Sequence, residues 1–230
     1  MSELSDAAAG PDPVDAGFSA AAAGPVRGSG DAAVLAAQER AEVTRNLNLD
    51  TVPALPIAAD TANVRLGVEI DHSCLSLLPL VGVWRGTGVF GNDPGIKEPQ
   101  FGQQITISHD GRPFLRFESV IWILHTDGSV AAPGPREVGF FRPQPDGSIE
   151  LLLAHAEGRI EVFYGQPRSL TAWALSTDAG WRTPTAPPVV GTTRLYGITP
   201  DGRLAYVEER AHTDSELSPH ASAALDRIAG

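Results

Sequence analysis

Histidine is the side chain in this sequence best suited to hold a transition metal. A neutral imidazole ligates iron through a ring nitrogen, and it titrates close to neutral pH. Six histidines are present: His72, His109, His125, His155, His212 and His220. Spacing alone does not single one out. His109 and His125 flank Asp-Gly pairs and are expected to be solvated, and His212 adjoins acidic residues and is expected to be exposed.

The context of His220 differs from that of the other histidines. Pro219 fixes the entry angle of the chain, and small residues follow. If the segment is a strand, Ser222 and Ala224 share the face of His220, so a flat ligand could approach the ring. The competing interpretation is a structural histidine on a terminal strand, near the end of a barrel.

A run of glycines around one tryptophan forms the second unusual feature. Gly82, Trp84, Gly86 and Gly88 alternate, so in a strand all four point to one face. Such a face suits a strand that another backbone crosses closely, with Trp84 as a core plug. It suits one wall of a ligand cavity equally well, and the residues alone leave both options open.

Turn signals and alternating polarity predict the fold that positions these residues. Asp-Gly pairs, which supply the positive φ angles of tight hairpins, occur at 110–111, 127–128, 146–147 and 201–202. Between them lie short runs with a period of two, such as 101–108, 115–124 and 204–210. About ten strands joined by hairpins predict an all-β, closed antiparallel up-and-down barrel with a ligand cavity, over residues 75–230. A two-sheet sandwich is the structural alternative.

The first 60 residues have a different composition from the rest. They are dominated by Ala, Gly, Pro, Ser and Asp and contain one aromatic residue, Phe18. Such a segment buries too little apolar area to offset its ordering entropy, so residues 1–60 are expected to form a disordered tail. A helix that Asp31 caps and that runs to Val43, serving to bind a partner, is the alternative.

Charge and cysteine content exclude several classes of function. The formal net charge of −11 argues against nucleic acid or an anionic membrane surface as a partner. Cys74 is the only cysteine, so no intramolecular disulfide and no cysteine-based metal motif can form. The N-terminus lacks the pattern of a signal peptide, and no stretch is long and apolar enough to cross a bilayer. A cytoplasmic location is expected.

Five segments together resemble the nitrobindin family of haem-binding β-barrels, which share a fatty-acid-binding-protein-like shape. The resemblance covers about residues 75–228 in order and rests on Gly82–Gly88, Ile105–Leu115, Arg136–Arg142, Thr193–Gly197 and Leu217–Arg227. It implies a non-covalent haem b, one per chain, with His220 as the axial iron ligand and with Gly82, Trp84, Gly86 and Gly88 at the cofactor. It also implies a ferric iron that binds nitric oxide and isomerises peroxynitrite to nitrate, with a homodimer as one option.

Two departures from the family pattern leave other functions open. The family typically carries Tyr-Pro-Thr after the glycine motif, where this sequence has Gly95 at the threonine position, and its usual lysine before the eighth strand is replaced near Pro187. Both changes could weaken haem retention. A non-enzymatic carrier barrel for a fatty acid or other apolar ligand is therefore the main alternative, and a haem sensor or carrier with a partner-binding tail is a third.

Overall fold

The structure is a computed structural model that describes residues 29–91, 100–213 and 215–230. The chain divides into one unit that ends at Pro53 and a second that runs from Ala54 to Gly230. Part of the predicted tail, residues 1–28, and Gly95 lie outside the described residues. Among those that are described, no helix combines the length and apolar character needed to cross a membrane.

Within the described part of the first unit, residues 29–53, there is one α-helix, α1 (Ser29–Val43). Here the structure has the helix that the sequence offered as the alternative to a disordered segment, and it begins two residues before Asp31. Apolar side chains such as Val34, Leu35 and Val43 are exposed. Within its own unit this helix therefore lacks the buried apolar face that normally stabilises a helix in a protein.

The second unit is a closed barrel of ten antiparallel strands, which confirms the predicted fold and removes the sandwich alternative. Each strand pairs with its neighbours in sequence, and β1 pairs with β10 to close the barrel. The strands are β1 (Gly82–Phe90), β2 (Phe101–Ser108), β3 (Leu115–Leu124), β4 (Val130–Pro143), β5 (Ile149–His155), β6 (Arg159–Ser169), β7 (Ala172–Arg182), β8 (Val189–Ile198), β9 (Leu204–His212) and β10 (Ser218–Ala229).

The Asp-Gly pairs form the hairpin turns that the sequence predicts. In the β3–β4 turn, Gly128 has a φ of +82°, and in the β4–β5 turn Gly147 has a φ of +83°. The preceding carboxylates, of Asp127 and Asp146, accept a hydrogen bond from the backbone amide two residues later. This local bonding sets where each strand ends, and so fixes which side chains face the interior.

A 3₁₀ helix (His72–Leu80) closes one end of the barrel, called here the plugged end. Leu77 and Leu80 are fully buried in the core. Two indole groups hold the helix in place, because Trp84 Nε1 donates to the Leu80 carbonyl at 2.9 Å and Trp173 Nε1 donates to the Ser76 carbonyl at 3.1 Å. The opposite end, where β1 ends at Phe90 and β10 begins at Ser218, is called the mouth.

The β-ladder is interrupted between β7 and β8. Their backbone pairing covers Ala172–Ser176 against Thr193–Gly197, although β7 continues to Arg182 and β8 begins at Val189. Across the unpaired part, the Thr177 hydroxyl bonds to the backbone N–H and C=O of Thr192 at 3.1 and 3.0 Å. This gap, called here the seam, borders a cavity of about 290 Å³ that reaches Arg159 and Glu161 inside the barrel.

Candidate functional site at the barrel mouth

His220 lies at the mouth, on a β-bulge near the start of β10. Pro219 pairs with Glu209 and Ala221 pairs with Glu208, so His220 is an extra residue without a partner on β9. On the other side, its carbonyl accepts a hydrogen bond from Gly91 N at 2.7 Å. A bulge changes the direction of a side chain relative to the regular alternation of a strand. As a result His220 and Ala221 both line the same interior cavity.

The imidazole of His220 is available as a ligand. It is half-buried, its ring centroid lies 6.1 Å from that of Phe90, and neither ring nitrogen is hydrogen-bonded to another described residue. Burial, together with the nearby positive charge of Arg210, lowers the pKa of His220 to about 4. The ring is therefore neutral at neutral pH, which is the form that coordinates iron.

The other histidines do not share this environment. His125 and His212 are exposed, as expected from the sequence. The expectation that His109 is solvated is wrong: it is fully buried, and neither of its ring nitrogens has a hydrogen-bond partner among the described residues. Its backbone pairs with Thr61, which lies against the end of β2 and covers the ring from solvent. His155 is also buried, but both of its ring nitrogens face carboxylates.

The cavity beneath His220 has an apolar side and a polar side. Strands β1–β3 supply the apolar side with Phe90, Ile105, Phe117 and Ile121. The polar side is formed mainly by Gln103, Glu137, Arg194, Tyr196, Tyr206, Glu208 and Arg210. Its volume is about 30 Å³, enough for one or two water-sized guests and far too small for an acyl chain or a porphyrin. A macrocycle could therefore reach His220 only from the mouth.

A continuous chain of ion pairs crosses the barrel interior below this cavity. Arg194 contacts Glu137 at 2.6 Å and Glu208 at 2.7 Å, and Glu208 also contacts Arg210 at 2.6 Å. His155 lies 3.2 Å from Glu137 and continues the chain toward β6. The seven members of this charge cluster are Glu137, His155, Arg159, Glu161, Arg194, Glu208 and Arg210.

The cluster favours the charged forms of Glu137, His155 and Glu161. Burial opposes ionisation of Glu161, but hydrogen bonds from His155 and Thr192 outweigh it and lower the pKa of Glu161 to about 2. Burial likewise opposes protonation of His155, yet its contacts with Glu137 and Glu161 raise its pKa. Against the same burial, the charge of Arg194 holds the pKa of Glu137 well below its usual value. The interior is thus a network of paired ions, as buried charges require.

The structure does not bring the glycine motif together with His220. Trp84 and Gly82 lie at the plugged end, where the Arg227 guanidinium stacks 4.0 Å from the indole. Trp84 is six residues from Phe90 along β1, roughly 20 Å at the rise of a strand. A Cβ on Gly86 would lie 2.5 Å from the Ala224 carbonyl, and one on Gly88 would overlap Phe101. Gly82 and Trp84 thus lie away from His220, and the motif packs β1 against its neighbours. Contact of Gly82, Trp84, Gly86 and Gly88 with a haem stays a prediction.

The charge cluster is the part of the site that the sequence analysis missed. Its signal was present, because Glu208 and Arg210 continue the inward face of Leu204 and Tyr206, and Glu161 shares a face with Phe163. Charged residues at alternate positions of a strand usually lie on its solvent face. For this reason the sequence did not predict that these residues lie inside the barrel. In this barrel the carboxylates and guanidinium groups come from four strands, β4, β6, β8 and β9, and meet only after closure.

The residues at the mouth fit a haem group by their chemistry. A neutral, half-buried imidazole whose nitrogens bond to no other described residue is a suitable axial ligand, and aromatic and aliphatic side chains surround it. The family described as "THAP4-like, heme-binding beta-barrel domain" matches residues 73–227. The chain belongs to this family. That match covers the whole barrel, and it confirms the resemblance on which the haem prediction was based.

The chain is similar to curated relatives over nearly its full length. The chain is 54% identical over 208 residues to a "Ferric nitrobindin-like protein" of Saccharopolyspora erythraea, covering 90% of this chain and 97% of the relative. It is 48% identical over 212 residues to "Peroxynitrite isomerase 2" of Rhodococcus jostii, covering 89% and 99%. Among solved structures, that of Rv2717c from M. tuberculosis matches with a TM-score of 0.58 and 29% identity, covering 69% of this chain and 99% of that chain.

Proposed function

We propose that this chain is a haem-dependent peroxynitrite isomerase that binds one non-covalent haem b per chain through His220. The observation that carries the proposal is the neutral imidazole of His220, placed on a bulge at the mouth of a barrel of the heme-binding family. Relatives named peroxynitrite isomerase, 48% to 50% identical to this chain, support the choice of reaction. Binding of nitric oxide belongs to the same proposal, because it needs the same vacant side of the iron.

The roles of the protein side chains follow from the geometry. His220 would hold the iron, and the apolar residues Phe90 and Ile121 would contact the macrocycle. When bound, ferric haem supplies a Lewis acid for an oxygen of peroxynitrite. Peroxynitrite and nitrate contain the same atoms and the same charge, so the reaction needs neither a reductant nor a net proton. No side chain of the chain is therefore assigned as a general acid or base.

A non-enzymatic fatty-acid carrier, the main alternative from the sequence, is not favoured by the interior. The cavity of about 30 Å³ beneath His220 cannot enclose an acyl chain, and its polar side consists of ion-paired carboxylates and guanidinium groups. An apolar ligand there would leave those charges without the solvent or polar partners that they need.

Haem absorbance and nitrate yield test the proposal. Protein reconstituted with haem should show a Soret band, and His220→Ala should abolish or shift it, whereas His212→Ala, at an exposed histidine, should leave it unchanged. The haem-loaded protein should accelerate peroxynitrite decay and raise the yield of nitrate relative to haem-free protein. An unaltered spectrum in His220→Ala would show that another residue ligates the iron.

The domain boundaries, the assembly and the location stay predictions. We propose that residues 75–230 suffice for haem binding, so deleting residues 1–60 should leave haem affinity unchanged. A homodimer would be detected by sedimentation equilibrium. A cytoplasmic location would be detected by cell fractionation.

A further inference from the structure

The carboxylates that line the cavity beneath His220 already face cationic groups, whereas several hydrogen-bond donors there have no acceptor. Glu208 Oε1 accepts a hydrogen bond from Arg210 Nε at 2.6 Å, and Glu208 Oε2 lies 2.7 Å from Arg194 Nε, a buried nitrogen that makes no hydrogen bond within the described residues. Both oxygens of Glu137 are taken as well, by Arg194 Nη1 and Nη2 and by His155. Each carboxylate oxygen that lines the cavity therefore already lies within 3.2 Å of a guanidinium or imidazole nitrogen.

Arg210 is the main source of the unused donors. Its Nε pairs with Glu208, while Nη1 and Nη2 make no hydrogen bond to any residue that the structure describes. Its side chain is 17% exposed and lines the cavity together with His220. The hydroxyl oxygen of Tyr196 accepts from Arg194 at 3.2 Å, and within the described residues its proton has no acceptor. A guanidinium edge and a phenol therefore both offer donors to one small space.

The charge of the surroundings agrees with this surplus of donors. The charge cluster contains three arginines against three glutamates, and the raised pKa of His155 adds a positive charge when that ring is protonated. Arg194 and Arg210 both line the cavity together with His220. A guest that brings oxygen acceptors and a negative charge would complement this space, whereas a cation would not.

We propose that Arg210 and Tyr196 form a binding site for a small anionic oxygen group beside His220. The cavity of about 30 Å³ suits a group of a few atoms, such as a monovalent oxyanion or the end of a carboxylate. Two sources share this chemistry: a free oxyanion such as nitrate, or a carboxylate that belongs to the bound haem. The planar edge of Arg210, with its two terminal amino groups, matches the planar oxygens of either one.

Titration of the haem-free, full-length chain with nitrate tests the free-ion source and does not depend on the proposed haem function. We expect one nitrate per chain by calorimetry, with affinity reduced about tenfold or more in Arg210→Gln and by a smaller factor in Tyr196→Phe. Arg168→Gln is the matched control, because Arg168 is exposed and makes no ion pair within the described residues. It should bind nitrate as the wild type does.

The rate of haem loss to a scavenging protein tests the second source. If Arg210 binds a haem carboxylate, Arg210→Gln should speed the loss of haem about tenfold but not the loss of haem dimethyl ester, in which the carboxylates are blocked. If circular dichroism shows that Arg210→Gln does not fold, the same measurements are made on Arg210→Lys, which keeps the positive charge opposite Glu208. The site is refuted if the Arg210 variants match Arg168→Gln in both measurements, which would mean that the cavity holds only water.

Discussion

Arg194 on β8 and Glu137 on β4 form a two-point ion pair inside the barrel. Arg194 Nη2 lies 2.6 Å from Glu137 Oε1, and Nη1 lies 2.9 Å from Oε2. The strands that carry them are separated by β5, β6 and β7 around the barrel wall. The pair therefore crosses the interior and connects parts of the chain that no backbone hydrogen bond joins.

Breaking this pair should destabilise the protein strongly. Glu137→Gln removes the charge opposite Arg194 and leaves a buried guanidinium incompletely compensated, at a cost of about 3–5 kcal/mol in the free energy of unfolding. Urea denaturation followed by tryptophan fluorescence measures this cost. A matched change at the surface, Glu150→Gln, loses an ion pair with the half-exposed Arg142 and should cost less than about 1 kcal/mol. Equal losses at both positions would contradict this view of the cluster.

The cluster should make stability fall in acid through Glu161. The folded-state pKa of Glu161 is about 2, below the value of about 4.3 in an unfolded chain. Its contribution, on the order of 3 kcal/mol, is therefore fully present above pH ~4.3 and is lost as the pH falls toward 2. Glu161→Gln should flatten the unfolding free energy over that window, as urea titrations at a series of pH values would show. A slope equal to that of the wild type would refute this.

His155 should make stability fall as the pH rises, which is the opposite of the effect of Glu161. Its contacts with Glu137 and Glu161 raise its pKa above the value of about 6.5 expected in an unfolded chain. The stability that protonated His155 provides is therefore present below pH ~6.5 and is lost as the pH rises through the folded-state pKa. His155→Gln should remove this alkaline decline, and nuclear magnetic resonance titration of the ring in the wild type should give a midpoint above 6.5. A midpoint below that value would contradict the prediction.

Gly86 should tolerate no side chain. A Cβ there would lie 2.5 Å from the backbone carbonyl of Ala224 and 3.0 Å from Leu225 Cα, so Gly86→Ala must push β1 and β10 apart. We expect a loss of about 1–3 kcal/mol, measured by chemical denaturation. Gly191→Ala is the control, because a Cβ on Gly191 would meet Ala211 Cβ at an ordinary van der Waals distance of 3.9 Å. It should change stability by less than about 0.5 kcal/mol.

Trp84 should affect stability and not haem. Its indole N–H donates to the Leu80 carbonyl at the plugged end, away from His220. Trp84→Phe leaves that buried carbonyl without its donor and should cost about 1–3 kcal/mol of unfolding free energy. The Soret spectrum and haem affinity of the variant should match those of the wild type. A shifted Soret band would instead place Trp84 at the cofactor, as the sequence motif first indicated.

The fold could be predicted from the sequence because its determinants are local. Asp127-Gly128 and Asp146-Gly147 fix the hairpins within four residues, and the alternation along β2 and β3 follows from the period of a strand. His220 could be singled out through its flanking residues and the family resemblance. The position of His220 on a bulge could not be predicted, because the bulge depends on the register between β10 and β9.

The interior charges and His109 could not be predicted, because their burial depends on closure. Glu137, Arg194 and Glu208 lie far apart in sequence and satisfy one another only inside the finished barrel. His109 directly precedes an Asp-Gly pair that indicates a solvated turn, yet its backbone pairs with Thr61 and its side chain is fully buried. Local patterns indicate which face of a strand is polar, but they do not reveal when that face turns inward.

The seam between β7 and β8 gives the barrel a second opening, through its wall. Arg159 and Glu161 line the cavity at the seam together with the exposed residues Trp181 and Val190, so this cavity approaches solvent at a point other than the mouth. A ligand that caps the mouth would therefore leave the interior ions in protonic equilibrium with the medium. In this protein, a ligand can close the mouth of the barrel without isolating the charge cluster from solvent.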